Sequence, residues 1–285
     1  MDLPSNLSER LGNKNQPKGG NICVIGSRGA GKTTYLAALA DWPQVKNQKV
    51  TITPVTDDAK KLKAQVQNKI LQGVALKQTK IDGIKIKSFY DLPLYQFIIE
   101  SQRFGGLKKT RIDLVARDYP GEVFDELADG ISNSIHQDFL DQCFVGDTVG
   151  CLMMLHEWEM GRDNFYCRGF EKFIDLMATK DRLNNFRLAV VMSKCERGEL
   201  WPGRLDPEMD IFRQYLPKTT QILRRRIRKE HLRFYALSTF GVLNDNDPRP
   251  NRIDEIIGGK GSVLREKGKW QPYGMMSPLY WLSGL

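Results

Sequence analysis

The chain has few of the residues from which several common kinds of site are built. Its three histidines, at 136, 156 and 231, stand at no metal-ligand spacing from one another, which excludes a histidine-built metal centre of the usual pattern. Five cysteines, at 23, 143, 151, 167 and 195, lie far apart with no Cys-x-x-Cys pair. An odd, scattered set argues against a disulfide framework and for reduced, cytoplasmic usage. No apolar run approaches the ~20 residues that cross a bilayer as a helix. Residues 1–19 are polar and lack the apolar stretch of a signal peptide, so they are expected to form a flexible tail ahead of a domain at 20–285.

What is present is a full complement of core-forming residues, 41% hydrophobic, on a basic chain of formal net charge +9. That length and composition suit one large α/β domain. The charge favours anionic partners, whether nucleotide, nucleic acid or acidic lipid, without choosing among them.

The most specific signal is Gly26-Ser27-Arg28-Gly29-Ala30-Gly31-Lys32-Thr33, which fits G-x-x-x-x-G-K-[ST]. The apolar run Ile22 to Ile25 precedes it as a strand, and Thr34 to Leu39 opens a helix rich in Ala and Leu. Strand, glycine-rich loop and helix together form a phosphate-binding turn. Glycines let backbone N–H groups close around a polyphosphate, and the helix aims its positive dipole end at the same anion. Lys32 would reach the β- and γ-phosphates. The Thr33 hydroxyl would hold Mg²⁺, and Gly26 through Thr34 would line the nucleotide.

Strands and helices alternate after this loop, which predicts a mostly parallel sheet covered on both faces. Strands are expected at 21–25, 94–100, 111–117, 148–155, 187–193 and 232–238. Helices are expected at 32–40, 57–72, 122–142, 164–180, 209–229 and 276–284. Gly105-Gly106 joins 94–100 to 111–117 as an antiparallel hairpin. The segment 241–274 is rich in Gly, Pro, Asn and Arg and reads as a long loop or insertion.

The strand at 111–117 ends in Asp118-Tyr119-Pro120-Gly121. An acidic residue there can orient Mg²⁺ opposite Thr33, and the Gly121 N–H can meet a γ-phosphate. With the phosphate loop, this D-x-x-G resembles the P-loop GTPases of the Ras-like and translation-factor class. The resemblance implies a Ras-like fold: a mostly parallel six-stranded sheet with one antiparallel strand and helices on both faces. It also implies GTP as ligand, Mg²⁺ as cofactor, and a nucleotide-controlled switch acting on a partner protein.

That family carries a base-recognition motif, [NT]-K-x-D, after its fifth strand. Here Ser193-Lys194-Cys195-Glu196 follows Ala189-Val190-Val191-Met192. The resemblance makes Glu196 the acceptor for guanine N1–H and N2–H₂, and Lys194 the cover for the base. Ser replaces the Asn or Thr, and Glu the Asp. Ser238 and Thr239, after the sixth strand, would approach the base edge. A switch threonine is expected before the hairpin, and Thr79 is favoured over Thr53 and Thr56. Glu122 stands where many Ras-like proteins have Gln. It is either a water-positioning carboxylate or a first-turn helix residue. Arg28 is either an internal cation for the γ-phosphate or a solvent-facing side chain. Arg224 to Lys229 puts five cations in six positions, either as an anionic-partner contact with nucleic acid or membrane, or as a solvated helix end. The long interval at 42–93 and the closing Met276-Ser277-Pro278-Leu279-Tyr280-Trp281-Leu282 resemble the bacterial double-GTPase type found in conflict and defence gene clusters. Two other functions fit the same residues: an ATPase or general triphosphatase, and a non-catalytic nucleotide-dependent interaction module.

Overall fold

The computed structural model describes residues 21–41, 49–66, 91–103, 108–117, 121–130, 134–254 and 262–284. In chain order the elements are β1 (Asn21–Gly26), α1 (Lys32–Ala40), β2 (Lys49–Pro54), α2 (Asp57–Gln65), β3 (Leu94–Arg103) and β4 (Lys108–Arg117). Then come α3 (Glu122–Asp129), α4 (Ser134–Cys143), β5 (Thr148–Leu155), α5 (Arg162–Thr179), β6 (Arg187–Met192), α6 (Arg213–Tyr215), α7 (Pro217–Arg226) and β7 (Leu232–Ala236). The chain closes with β8 (Val242–Asn244), β9 (Asp247–Pro250), β10 (Arg252–Asp254), β11 (Ser262–Leu264) and α8 (Ser277–Leu282).

Strands β1, β5, β6 and β7 form a parallel sheet in the order β1-β5-β6-β7. A parallel sheet must be covered on both faces, and its strands are accordingly apolar throughout. Alternate side chains divide between two cores. Cys151, Met153 and Leu155 of β5 face the core built with α3, α4, α5 and α7. Leu152 and Met154 face the core that α1, α8 and the strands β3 and β4 complete. Helices therefore lie on both faces of the sheet.

The expected single six-stranded sheet is not what forms. The hairpin is present, with β3 and β4 antiparallel from Leu94↔Arg117 to Arg103↔Lys108. It belongs to a separate three-stranded sheet, β2-β3-β4, because Lys49–Pro54 adds a strand that the sequence pattern left inside an insertion. This sheet lies against the parallel one, with β4 running close to β1.

Two long helices are also broken, each by local chemistry. The span 122–142 divides at Gly130, whose φ of 112° lies outside helical space. The span 209–229 divides at Leu216, because the residue before a proline is driven out of the helical region and Pro217 then starts α7. The turn Glu208–Phe212 ahead of it is π-helical. Of the helix expected at 57–72, the stretch after Val66 lies outside the described residues, as does the tail at 1–19. The 241–274 segment contains two short hairpins, β8–β9 and β10–β11, instead of irregular loop.

Phe173 is a direct test of the larger core. It is fully buried between Phe144, at 5.2 Å between ring centroids, and Phe186. Phe173→Ala should lower stability by about 3–5 kcal/mol, because the vacated volume cannot collapse between two fixed rings. Urea unfolding of the two proteins measures it.

Candidate phosphate and base site

The carboxyl ends of β1, β5 and β6 converge, and the loops that follow them build the site. Parallel sheets place ligands at these ends. The first loop follows β1. Gly29 and Gly31 have φ of 82° and 83°, which ordinary side chains rarely adopt. Gly26 is constrained by space: a Cβ there would sit 2.2 Å from the Met154 carbonyl oxygen of β5. On the other side, a Cβ on Gly31 would meet nothing within 4 Å. The loop is therefore pressed against β5 on one side and open on the other.

Lys32 begins α1 and is only 7% exposed. Its ammonium donates to the carbonyl of Gly26 at 2.8 Å and of Ser27 at 3.3 Å, so it lies back across the loop. No side chain caps α1, and its first turn holds no acidic residue. Charge and dipole at this turn are thus of one sign, suited to an anion. Thr33 and Thr34 are half-buried at the same turn.

The loop rests on a polar layer that sequence patterning did not identify. His156, one residue past β5, lies beneath Gly29, with Nδ1 3.3 Å from the Ser27 hydroxyl. That hydroxyl is also 3.4 Å from the Tyr166 hydroxyl of α5. Burial, together with Lys194, Arg197, Lys32 and Arg162, lowers the His156 pKa to about 3, so the ring is neutral. Its place at a strand's carboxyl end was the available sequence signal.

The base-motif loop is fixed to the phosphate loop by Ser193. Its hydroxyl lies 2.8 Å from the Ala30 carbonyl and 2.9 Å from the Leu155 carbonyl, and its one proton serves either. Lys194 follows with φ of 57°, in the left-handed region. Burial and the nearby Arg197 and Arg252 bring its pKa down to about 8. Glu196 is fully buried. Its Oε1 pairs with Arg252 of β10 at 3.2 Å, while Oε2 is buried with no hydrogen-bond partner. Ser238 is buried too. Its N–H and carbonyl both bond to Tyr273, and its hydroxyl accepts from the Gly241 N–H at 2.7 Å. The Thr239 carbonyl accepts from the Trp270 indole at 2.8 Å.

The third wall is the N-terminus of α3. Gly121 packs so closely on the phosphate loop that a Cβ would lie 2.4 Å from the Arg28 Cα. Glu122 is ion-paired with Arg28 at 2.6 Å, so the two side chains whose roles were open in the sequence are partners of each other. Both are substantially exposed, and such a pair contributes little stability. Asp125, one turn along, accepts from the Arg28 backbone N–H. Burial raises its pKa against the pull of that bond and of Lys32. Asp118 and Thr79 lie outside the described residues. Of the expected Mg²⁺ ligands only Thr33 is described, and no described cluster of His, Cys, Asp or Glu has the arrangement of a metal site. Magnesium that keeps its waters and binds through phosphates needs no such cage.

Two of the five cations of the basic run are engaged within the molecule, and Arg225, Arg228 and Lys229 are exposed. Arg224 pairs with Glu208 through both nitrogens, and Arg226 bonds Asp175 at 2.7 Å. No helix among the described residues is long and apolar enough to cross a membrane.

No protein-family model matches the sequence, and none of the curated proteins does. Among solved structures the chain is similar to the GTPase-like domain of S. cerevisiae Ski7 bound to GTP. The TM-score is 0.40 at 13% identity, over 90% of this chain and 49% of that one. Sup35 complexed with GDP gives 0.32 at 13%, over 84% and 40%. Nucleolar GTP-binding protein 1 of Plasmodium falciparum gives 0.33 at 12%, over 80% of each chain. This chain thus spans about half or less of the Ski7 and Sup35 structures.

The neutral His156 has a measurable consequence. Its folded pKa lies below its unfolded value of about 6.5, so the unfolded chain binds the extra proton between those pH values. The contribution to stability is complete above about pH 6.5 and is lost as pH falls toward 3, on the order of 1 kcal/mol per pH unit. His156→Asn should remove that slope, as read from urea unfolding at pH 4, 5, 6 and 7.

Proposed function

We propose that this protein binds GTP with Mg²⁺ and hydrolyses it slowly, acting as a nucleotide switch on a partner protein. The observation that carries the reading is Ser193. It joins a phosphate-type loop on β1–α1 to a Lys194–Glu196 loop on β6, with a buried carboxylate oxygen of Glu196 unsatisfied. A phosphate cradle alone fits any triphosphate. A cradle tied to an acceptor for two base donors fits guanine, because adenine presents an acceptor where guanine presents N1–H.

The roles follow from position. Lys32 neutralises the β- and γ-phosphates, and Gly121 offers its N–H to the γ-phosphate. Thr33, with Asp118 and Thr79 as further proposed ligands, would hold Mg²⁺, which would supply charge neutralisation to the phosphates. In hydrolysis a water oxygen attacks the γ-phosphorus, the bond to the β–γ bridging oxygen breaks with its electron pair leaving on the diphosphate, and the water's proton passes to an oxygen of the released phosphate. Glu122 can position that water only when parted from Arg28, which is then available to the γ-phosphate. The coupling of Arg28 to Glu122 makes α3, with the D-x-x-G loop before it, the proposed switch. A cytoplasmic compartment rests on the cysteine usage, and the partner and a place in bacterial defence rest on the sequence resemblance.

Lys32→Ala should weaken GTP binding by about 1.5–3 kcal/mol through loss of a charge-assisted phosphate contact. Titration with a fluorescent guanine nucleotide reads it, and wild-type affinity in the variant would sink the proposal. Guanine should be preferred to adenine by about tenfold to a hundredfold, and Glu196→Ala should erase most of that. Equal binding of ATP and GTP by the unaltered protein would favour a general triphosphatase. Turnover without a partner should be roughly 10⁻⁴–10⁻² s⁻¹, measured as phosphate release. Glu122→Gln should change turnover with little effect on binding.

A further inference from the structure

Glu196 and Arg252 form the most completely buried ion pair among the described residues, with side chains 0% and 6% exposed. The carboxylate comes from the loop after β6 and the guanidinium from the β10–β11 hairpin, 56 residues later. Two charges this far from water are costly to bury unless each is paired and held. Arg252 is held. Its other nitrogen pairs with Asp254, which also accepts from the Ser262 hydroxyl at 2.6 Å. The preceding Asn251 is fully buried. Its amide nitrogen donates to the Glu266 carbonyl at 3.0 Å, and its oxygen accepts from the Glu266 N–H at 2.7 Å. Its backbone N–H reaches the Gly241 carbonyl at 3.0 Å. The hairpin thus delivers one cation to one oxygen of one buried carboxylate and leaves the other oxygen, Oε2, without a partner.

We infer that Arg252 is a positioning residue for nucleobase recognition: by holding Oε1 it keeps Glu196 turned so that Oε2 accepts the base donors. This rests on the guanine reading above and deepens it. A longer side chain than Asp needs a second anchor to present a carboxylate reproducibly, and Arg252 provides that anchor. It makes the inserted hairpin part of the specificity apparatus and not a surface appendage. Among the described residues, the other charged or titratable groups near Glu196 include Lys194, Cys195 and Arg197 on its own loop, Arg204 and Tyr273 beside Cys195, and Asp254 on the hairpin.

Without Arg252, nothing on the hairpin holds Oε1 of Glu196, and the carboxylate no longer presents Oε2 in one orientation. Arg252→Met should therefore weaken GDP binding at least tenfold. Inorganic tripolyphosphate, which has no base, should displace a fluorescent nucleotide from the variant as readily as from wild type. Arg252→Lys, which keeps a cation but not the guanidinium, should recover part of the GDP affinity. Adding Arg252→Met to Glu196→Gln should weaken GDP binding no further, because Arg252 acts through the carboxylate. Thermal melts establish that each variant is folded, with Arg252→Gln carrying the test if Arg252→Met is not. Loss of GDP and tripolyphosphate binding together, or a GDP affinity of the folded variant equal to wild type, would overturn the inference while leaving the GTP reading intact. Equal binding of guanine and adenine nucleotides by wild type would overturn both.

Discussion

The Ser193 hydroxyl lies between the carbonyls of Ala30 and Leu155, at 2.8 and 2.9 Å, and the site depends on that contact. Ala30 belongs to the loop after β1, Leu155 ends β5, and Ser193 follows β6. Three neighbouring strand ends, already paired through the parallel ladders, thus meet at one buried hydroxyl whose proton serves either carbonyl. The Ser193 N–H reinforces the contact by donating to Leu155 at 2.7 Å. Beneath the same loop, Gly26 presses on Met154, and Ser27 meets His156 and Tyr166. Packing and buried hydrogen bonds thus fix the backbone of this loop, as a preorganised anion site would require.

The contrast between what was and was not legible in the sequence follows sequence distance. The strand–loop–helix turn at 21–40 was readable because the loop occupies eight consecutive residues with glycine at the places where φ is positive. Helix α1 and strand β5 were bounded correctly because strongly apolar runs meet clear breaks on both sides. The broken helices were missed where periodicity continued across a single residue, Gly130 or Leu216, whose backbone cannot follow it. Strand β2 was missed because six residues, half of them polar, gain their strand character only from pairing with β3. The four short strands at 242–264 have the same origin: each is three or four residues long and exists through its partner.

The same rule separates the residues of the site. Lys32 and Thr33 were named from local pattern. His156 supports Gly29 across 127 positions and Arg252 meets Glu196 across 56, and no local pattern announces either contact. The Arg28–Glu122 pair lay between the two: both residues were singled out, but for separate roles, and only the fold brings them together.

Phe124 of α3 lies against Gly169 of α5, where a single added methyl would come within 2.8 Å of the ring. The ring also packs on Phe165, Tyr166 and Phe170, at 6.1, 5.9 and 5.7 Å between centroids. Three residues away, Gly121 touches the phosphate loop. Helix α3 therefore rests on a fulcrum, with its short arm at the loop and its long arm running to Gly130. Turned about Phe124, α3 would carry its Gly130 end farther than its Gly121 end, since six residues lie on one side of the ring and three on the other.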